Sequence, residues 1–409
     1  MHIAVFSQYH TNPDCPATSR HYSLLTHIAR THRVTLITTR TWEAQRLTQQ
    51  YSWLPEGVEM RAADVPYQNK MGVARRGLAF ARYAAYAIRE GLRIDKPDVI
   101  WGISTPLTAA WAAAQVARWR QVPWVFEVQD LWPAFPIQME AIPRFTWREL
   151  YKMERKLYQQ AKTIMTLSPD MTSYVQAVGQ MAKNPWSFTP DKVQTVLNGT
   201  DLDLAAAATN ETVAALRQEL GLTDDQRVIL YAGTFGRAND IPTLVQAAEQ
   251  LAATLPNVVW LFMGHGFYEP LIREVAERCS AVRLVVPQPR HAVFAWFQLA
   301  SLSIVSFLDL PVLDTNSPAK LYDSLSVGTP VIVTNDGWTK NLVEQYACGW
   351  YVRAGDAAAL VEQLRHVLAQ PALLEQAGKN GRVLAAEQFD RTKIAADVQQ
   401  VLEQAARHV

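Results

Sequence analysis

The feature that most constrains this chain is an alternation that occurs twice. Short runs of apolar and β-branched residues are each followed by a stretch with helical spacing, in two series parted by "VQTVLNGTDL" (193–202). The first series is "HIAVFS" (2–7), "SRHYSLLTHIARTH" with Tyr22, Leu25 and Ile28 at helical spacing, "RVTLITT" (33–39), "PDVIWGIS" (97–104), "LTAAWAAAQVARW" (107–119), "PWVFEVQD" (123–130), a helix near 146–161 and "TIMTLS" (163–168). The second runs through "RVILYAGTFG" (227–236), "VVWLFMGHG" (258–266), "VRLVVP" (282–287), "LSIVSF" (302–307) and "TPVIVTND" (329–336), with helices between. Such alternation predicts parallel sheets covered by helices. A chain of 409 residues is too long for one ordinary core. The expectation is therefore α/β, with two Rossmann-like doubly wound domains facing a cleft. They divide near 198/199, with a hinge over 196–202 and ligands at the carboxyl ends of the strands.

The formal net charge is +1, which argues against a nucleic-acid partner, because neutralising several phosphates needs a clear excess of Lys and Arg. The total hides a division. Residues 1–200 carry 23 Lys and Arg against 15 Asp and Glu, and the remainder carries 16 against 23. Three distant cysteines, Cys15, Cys279 and Cys348, support neither a disulfide framework nor a zinc knuckle, so a reducing cytoplasm is the expected location. No signal peptide or apolar stretch of about 18 residues is visible, so membrane contact is expected to be peripheral, at the inner face of the plasma membrane.

Several strand ends in the second series carry chemistry. In "YAGTFGRAND" (231–240), glycines let the backbone approach a ligand, and Arg237 opens the next turn. That arrangement suits a diphosphate, although a plain turn with a solvated arginine has the same sequence. "MGHG" places Gly264, His265 and Gly266 at another strand end. No Asp, Glu or Cys stands near His265 in sequence, so backbone access to a nucleoside is expected there rather than a metal. In "NSPAKLYDSLSVGTP" (316–330), Lys320 precedes Asp323 by one helical turn. A surface ion pair is the bland reading. Pro318 favours another, in which the helix start and Lys320 face an anion while Asp323 accepts from a ribose diol.

The first series has no Gly-x-Gly-x-x-Gly, and its first glycine is Gly57, so a nicotinamide site is not expected. His10, Asp14, Thr18, Ser19 and Arg20 fall where a loop would face the cleft, either as acceptor contacts or as an ordinary loop. Glu127, Gln129 and Asp130 end the "FEVQD" strand, where Asp130 would serve as a general base, an orienting group or a loop cap. From Lys70 to Lys96 there are seven Lys or Arg and two acids, with Arg75, Arg82, Arg89 and Arg93 on one helical face. That face would rest on an anionic membrane or be solvated.

Taken together, "NSPAKLYDSLSVGTPVIV", "YAGTFGR", "VLNGTDL", "FEVQDLWP" and the opening "FSQYHTNPDCPATSRHYSLL" resemble glycosyltransferase family 4, of the GT-B fold. The nearest branch in resemblance is the bacterial N-acetylfucosamine transferase-like enzymes of surface polysaccharide assembly. The resemblance implies a retaining, metal-independent transfer from a nucleotide sugar, with UDP favoured, to a saccharide or lipid-linked saccharide acceptor. No cofactor is implied beyond the nucleotide-sugar co-substrate.

It further implies a donor domain over 199–385 and a helix over 386–409 that crosses back to the acceptor domain, 1–198. Arg237 and Lys320 would bind the diphosphate, and Gly233 and Thr234 would approach it. Asp323 would meet the ribose, and the 314–317 backbone, with Thr315, Asn316 and Ser317, the donor sugar. Gly264, His265, Gly266 and Pro287 complete the donor side, and Thr18, Ser19, Arg20 and Gln129 the acceptor side. Asp130 joins Arg237 and Lys320 as a catalytic candidate.

Three positions depart from the family pattern. Its two glutamates eight apart are Thr315 and Asp323 here, a basic residue after the glycine is Thr234, and a histidine before the aspartate is Gln129. Retention without an evident nucleophile favours front-face substitution, in which the leaving phosphate helps to take the acceptor proton and two cations stabilise it. The rival readings are a nucleotide-sugar 2-epimerase of the same fold and a non-catalytic nucleotide-sugar binder.

Overall fold

The computed structural model describes residues 1–11, 20–40, 54–67, 71–181 and 188–407. The chain forms two units, Met1–Leu197 with Thr392–Val409, and Asn198–Arg391. The boundary expected at 385/386 falls inside a helix, Pro371–Gln388, whose Leu384 and Ala385 are buried; the chain leaves the second unit only after Arg391.

Unit 1 holds β1 (His2–Phe6), β2 (Arg33–Thr39), β3 (Val58–Ala63), β4 (Val99–Ser104), β5 (Trp124–Val128), β6 (Thr163–Thr166) and β7 (Val193–Thr195). They lie in the order β3-β2-β1-β4-β5-β6-β7, every pairing parallel. The inner strands β1, β4 and β5 are buried at every residue, which is why they read as continuous rather than alternating apolar runs. The helix Leu107–Arg120 is rich in alanine because it lies close to the sheet: a Cβ on Gly102 of β4 would come within 2.7 Å of the Ala113 Cβ. The opposite face is covered in part by the last helix, Arg391–Arg407. Its Ile394, Val398, Val401, Leu402 and Ala405 recur at helical spacing and share a core with Leu25, Ile28 and Val34. Each fully buried Ile, Val or Leu among them contributes about 1.5–3 kcal/mol.

Unit 2 holds β8 (Arg227–Ala232), β9 (Val258–Met263), β10 (Val282–Val285), β11 (Leu302–Val305), β12 (Val331–Val333) and β13 (Gly349–Tyr351), in the order β10-β9-β8-β11-β12-β13, also all parallel. The strand order reverses between β1 and β4 in unit 1, and between β8 and β11 in unit 2. At such a reversal the connections diverge to opposite faces and open a crevice at the carboxyl ends.

Candidate functional site

In unit 2 the crevice lies between the loop after β8 and the segments that follow β11. The loops after β8 and β9 are joined backbone to backbone. Gly233 N donates to Met263 O at 2.9 Å, Phe235 N to His265 O at 2.9 Å, and Tyr268 N to Phe235 O at 2.9 Å. This leaves no room for side chains. A Cβ on Gly264, at φ +157°, would overlap the Gly233 carbonyl oxygen, and one on Gly266 would lie 2.8 Å from the Phe235 carbonyl oxygen. The glycines of "GHG" are thus needed to bring two strand-end loops together, beyond any approach to a ligand.

Against this surface stands Lys320, in the first turn of the helix Ala319–Ser326, which Pro318 precedes. Its Nζ lies 4.1 Å from the centre of the Tyr231 ring and 5.7 Å from that of Phe307, and a Cβ on Gly233 would be 3.1 Å from it. No ion pair joins Lys320 to a carboxylate among the described residues. Burial among these groups, with no anion to offset it, holds its pKa down to about 7. Tyr231 donates its hydroxyl to Thr234 O at 2.9 Å, and burial keeps that phenol far above its ordinary pKa, so the ring is neutral. The second cation, Arg237, is exposed in the turn Arg237–Asn239, its guanidinium 4.2 Å from the centre of the Phe267 ring. Two cations, a helix start and glycine loops at a strand-order reversal are groups whose chemistry suits an anion.

The remaining donor-side expectations divide. His265 is exposed and takes part through its carbonyl, and Pro287 is partly buried just beyond β10. No group of three or more His, Cys, Asp or Glu with metal-site geometry occurs among the described residues. Thr315 is buried, its hydroxyl donating to Val312 O at 2.8 Å. The Asn316 carbonyl accepts from Trp338 Nε1 at 2.7 Å, and the Ser317 carbonyl from Asn198 Nδ2 at 3.0 Å. Asp323, expected to meet the ribose, already has protein partners. The residue is only 4% exposed, and its carboxylate is gripped by Arg290, with Nη2 to Oδ1 at 2.7 Å, and by the Thr200 hydroxyl at 2.7 Å.

In unit 1 the ends of β4 and β5 carry a buried polar group. Glu127 is fully buried, yet it is ringed by donors: Trp101 Nε1 at 3.1 Å, Gln129 Nε2 at 3.1 Å, His21 Nε2 at 3.2 Å, and the Arg20 guanidinium at 3.8 Å. Burial would raise its pKa, but Arg20 and His21, with hydrogen bonds from His21 and Gln129, hold it down to about 2. Arg20, expected as an acceptor contact, has a side chain only 4% exposed, 3.8 Å from Glu127, with Nη1 donating to Val196 O at 3.5 Å. Gln129 also reaches inward, 3.1 Å from His21 Nε2, while remaining partly exposed. Asp130 accepts from the Thr105 hydroxyl at 2.7 Å, and burial raises its pKa against that bond. His10 is buried too, with a pKa held down to about 3 by burial and by His21. Thr18 and Ser19, like Asp14, lie outside the described residues.

Sequence reasoning did not single out Tyr231, Phe307, His21, Thr200 or Arg290. Tyr231 and Phe307 sit in or beside apolar runs whose pattern signals burial only. Arg290 lies 33 residues from the acid it pairs with, so no local spacing marks it.

Residues 19–190 match the family described as Glycosyl transferase 4-like domain, and residues 213–384 that described as Glycosyl transferases group 1. The Bacillus subtilis protein EpsD is 20% identical over 59% of this chain and 61% of its own length, so the chain spans under two thirds of that relative. The solved sucrose-phosphate synthase of Thermosynechococcus elongatus superposes with a TM-score of 0.78 at 18% identity, over the full length of both chains. Anabaena HepE, solved in complex with UDP-glucose, gives a TM-score of 0.69 at 15% identity over 99% of this chain and all of its own. These likenesses place the fold as GT-B.

Proposed function

We propose that this chain, a GT-B glycosyltransferase by its fold and by both domain families it matches, moves a sugar from a nucleotide diphosphate sugar to a saccharide or lipid-linked saccharide, with retention of anomeric configuration. The observation that carries the reading is Lys320: an ammonium set on a tyrosine face beside glycine loops, without a carboxylate partner among the described residues, is a site suited to an anion. Lys320 and Arg237 meet the diphosphate, Gly233 and Thr234 approach it, and the Gly264–Gly266 loop and Pro287 border the nucleoside. The backbone near Asn316 and Ser317 borders the sugar. As the glycosidic bond to phosphate breaks, negative charge grows on the leaving diphosphate. Cations already in place stabilise that charge without reorganising. As the acceptor oxygen bonds the anomeric carbon on the same face, its proton passes to the leaving phosphate oxygen, and the two cations take the charge-neutralising place of a metal. Asp130, its pKa raised by burial, assists as a base or orients the acceptor hydroxyl.

Uridine as the base is supported by HepE, whose structure holds UDP-glucose. The acceptor belongs to surface polysaccharide assembly, in the manner of N-acetylfucosamine transferase-like enzymes, as the sequence resemblance implies. No described helix is long and apolar enough to cross a membrane. Peripheral contact at the inner face of the plasma membrane is supported by the helix Val73–Arg93. Arg75, Arg82, Arg89 and Arg93 are exposed on it beside Leu78 and Leu92, and Trp111 and Trp119 are exposed on the helix Leu107–Arg120. Lys70 lies outside the described residues. Arg89 and Arg93 both bond Glu90, which reduces the net charge of this face. Failure to bind anionic liposomes at low salt removes this contact.

The deciding experiment is thermal stabilisation by UDP, GDP and ADP in wild type and Lys320→Ala. A ligand at 100 times its dissociation constant adds about 2.7 kcal/mol. One nucleotide is expected to stabilise wild type and not the variant; stabilisation by none withdraws the reading. UDP release that needs an acceptor and persists in EDTA then separates transfer from epimerisation, from simple binding and from metal catalysis.

A further inference from the structure

The segment between β11 and Lys320 is held by its carbonyl oxygens, three of which accept from side-chain donors. Asn335 Nδ2 donates to Leu313 O at 2.6 Å, Trp338 Nε1 to Asn316 O at 2.7 Å, and Asn198 Nδ2 to Ser317 O at 3.0 Å. A fourth bond runs from Asp336 N to Asp314 Oδ1 at 3.1 Å. Three of the four donors belong to residues 335–338, which follow β12 and open the helix Trp338–Gln345. Because β11 and β12 are neighbours in the sheet, two adjacent strand-end segments are tied together here.

Trp338 is the largest of these clamps, and it is only 6% exposed. Its ring stacks on that of Tyr322, 6.4 Å between centres and 29° between planes. Tyr322 is fully buried, stands two residues beyond Lys320 in the helix Ala319–Ser326, and hydrogen-bonds the Ser317 hydroxyl. One indole thus touches both the segment that precedes this helix and the helix itself.

The indole bond also fixes a direction. The Asn316–Ser317 peptide is trans, so its C=O and N–H point opposite ways. With the carbonyl turned onto Trp338, the Ser317 N–H is turned away from it, and it donates to no acceptor among the described residues. Pro318 has no N–H, so Ser317 supplies the last backbone donor before the helix start. A backbone donor left without a partner is costly unless something meets it, and one already held in place binds a ligand oxygen without reorganising.

We propose that Trp338 is a positioning residue: its indole N–H sets the Asn316–Ser317 peptide so that the Ser317 N–H meets an oxygen of the donor sugar. It thereby governs how much the sugar adds to nucleotide binding. The inference rests on the proposed function, in which this backbone borders the sugar.

The test compares dissociation constants of UDP, UDP-glucose and UDP-N-acetylglucosamine for wild type, Trp338→Phe and Asn335→Ala, with a melting temperature for each protein. Trp338→Phe keeps a ring for Tyr322 and loses the N–H. It is expected to hold UDP within about twofold of wild type, and to lose about five- to tenfold for whichever of the two sugar nucleotides wild type binds better. Asn335→Ala, which frees the Leu313 carbonyl of the same segment, is expected to show the same selective loss at smaller size. An unchanged ratio of UDP-sugar to UDP affinity in Trp338→Phe overturns the proposal, because the peptide then does not meet the sugar. Equal loss of all three ligands overturns it also, because the indole then serves packing or the diphosphate. If Trp338→Phe does not fold, Asn335→Ala decides by the same ratio. Wild type that fails to bind UDP withdraws the nucleotide reading itself, whereas UDP binding with an unchanged ratio removes this inference alone.

Discussion

Lys320 and Tyr231 form a cation–aromatic pair, Nζ 4.1 Å from the ring centre, at the point where the strand order of unit 2 reverses. The pair leaves the ammonium electrostatically incomplete. An aromatic face offsets part of the lost hydration of a cation, but far less than a carboxylate would.

The first prediction concerns protons. Because the free lysine has a pKa of about 7, binding an anion there should draw a proton onto it. Nucleotide binding measured calorimetrically at pH 8 in buffers of different ionisation enthalpy should show proton uptake approaching one per site, absent in Lys320→Arg. Stability follows the same linkage with a definite sign. The folded pKa lies below the unfolded value of 10.5, so the unfolded chain holds more protons between about pH 7 and 10.5, and stability rises with pH across that window. Below pH 7 the full cost of the buried charge is present, so Lys320→Met should gain about 1–3 kcal/mol at pH 6 while losing nucleotide binding.

Gly264 tests the joined loops. Its φ of +157° and the carbonyl oxygen of Gly233 both exclude a side chain. Gly264→Ala should cost about 1–3 kcal/mol and weaken nucleotide binding, as read by urea denaturation and titration. An unchanged dissociation constant would separate these loops from the ligand.

Glu154 makes unit 1 sensitive to alkali. Burial raises its pKa to about 8, despite hydrogen bonds from Tyr158 and Tyr174 that favour the anion. Its contribution is complete below the unfolded value of 4.5 and is lost as pH rises through 8, because the unfolded chain releases the proton first. Glu154→Gln, which keeps an amide in place of the neutral acid, should flatten this loss. The difference in stability between wild type and variant, measured from pH 5 to 9, should shift steadily in favour of the variant.

The last helix offers a separate test. Leu402 is fully buried in the core of unit 1, so Leu402→Ala should lower stability by about 2–4 kcal/mol. Nucleotide affinity, which the proposed function assigns to unit 2, should be unchanged under conditions where the variant is folded.

The long inner strands were legible because a strand buried on both faces is apolar throughout. The edge strand β3 was not: "VEMRAA" pairs only with β2, is mostly half-buried, and needs no continuous apolar run. The three-residue β13 is too short to show a pattern. In the site, the glycine turns and Lys320 were legible because Gly at a strand end and Pro before a helix have local backbone causes. The buried group around Glu127 was visible only as a run of polar residues, since its partners Arg20, His21 and Trp101 come from other elements.

By itself, the sequence determined two α/β units, the change between them near 198/199, and a lysine at the start of a helix behind glycine-rich strand ends. Only the tertiary structure decided which charges pair. Lys320 and Asp323 are one turn apart, yet the lysine rests on Tyr231, and the acid is held by Arg290 from another helix. Helical spacing fixes which side chains are neighbours along a helix. Which of them meet water, an aromatic ring or an opposite charge depends on elements brought together from far along the chain, and burial then sets the strength of each interaction.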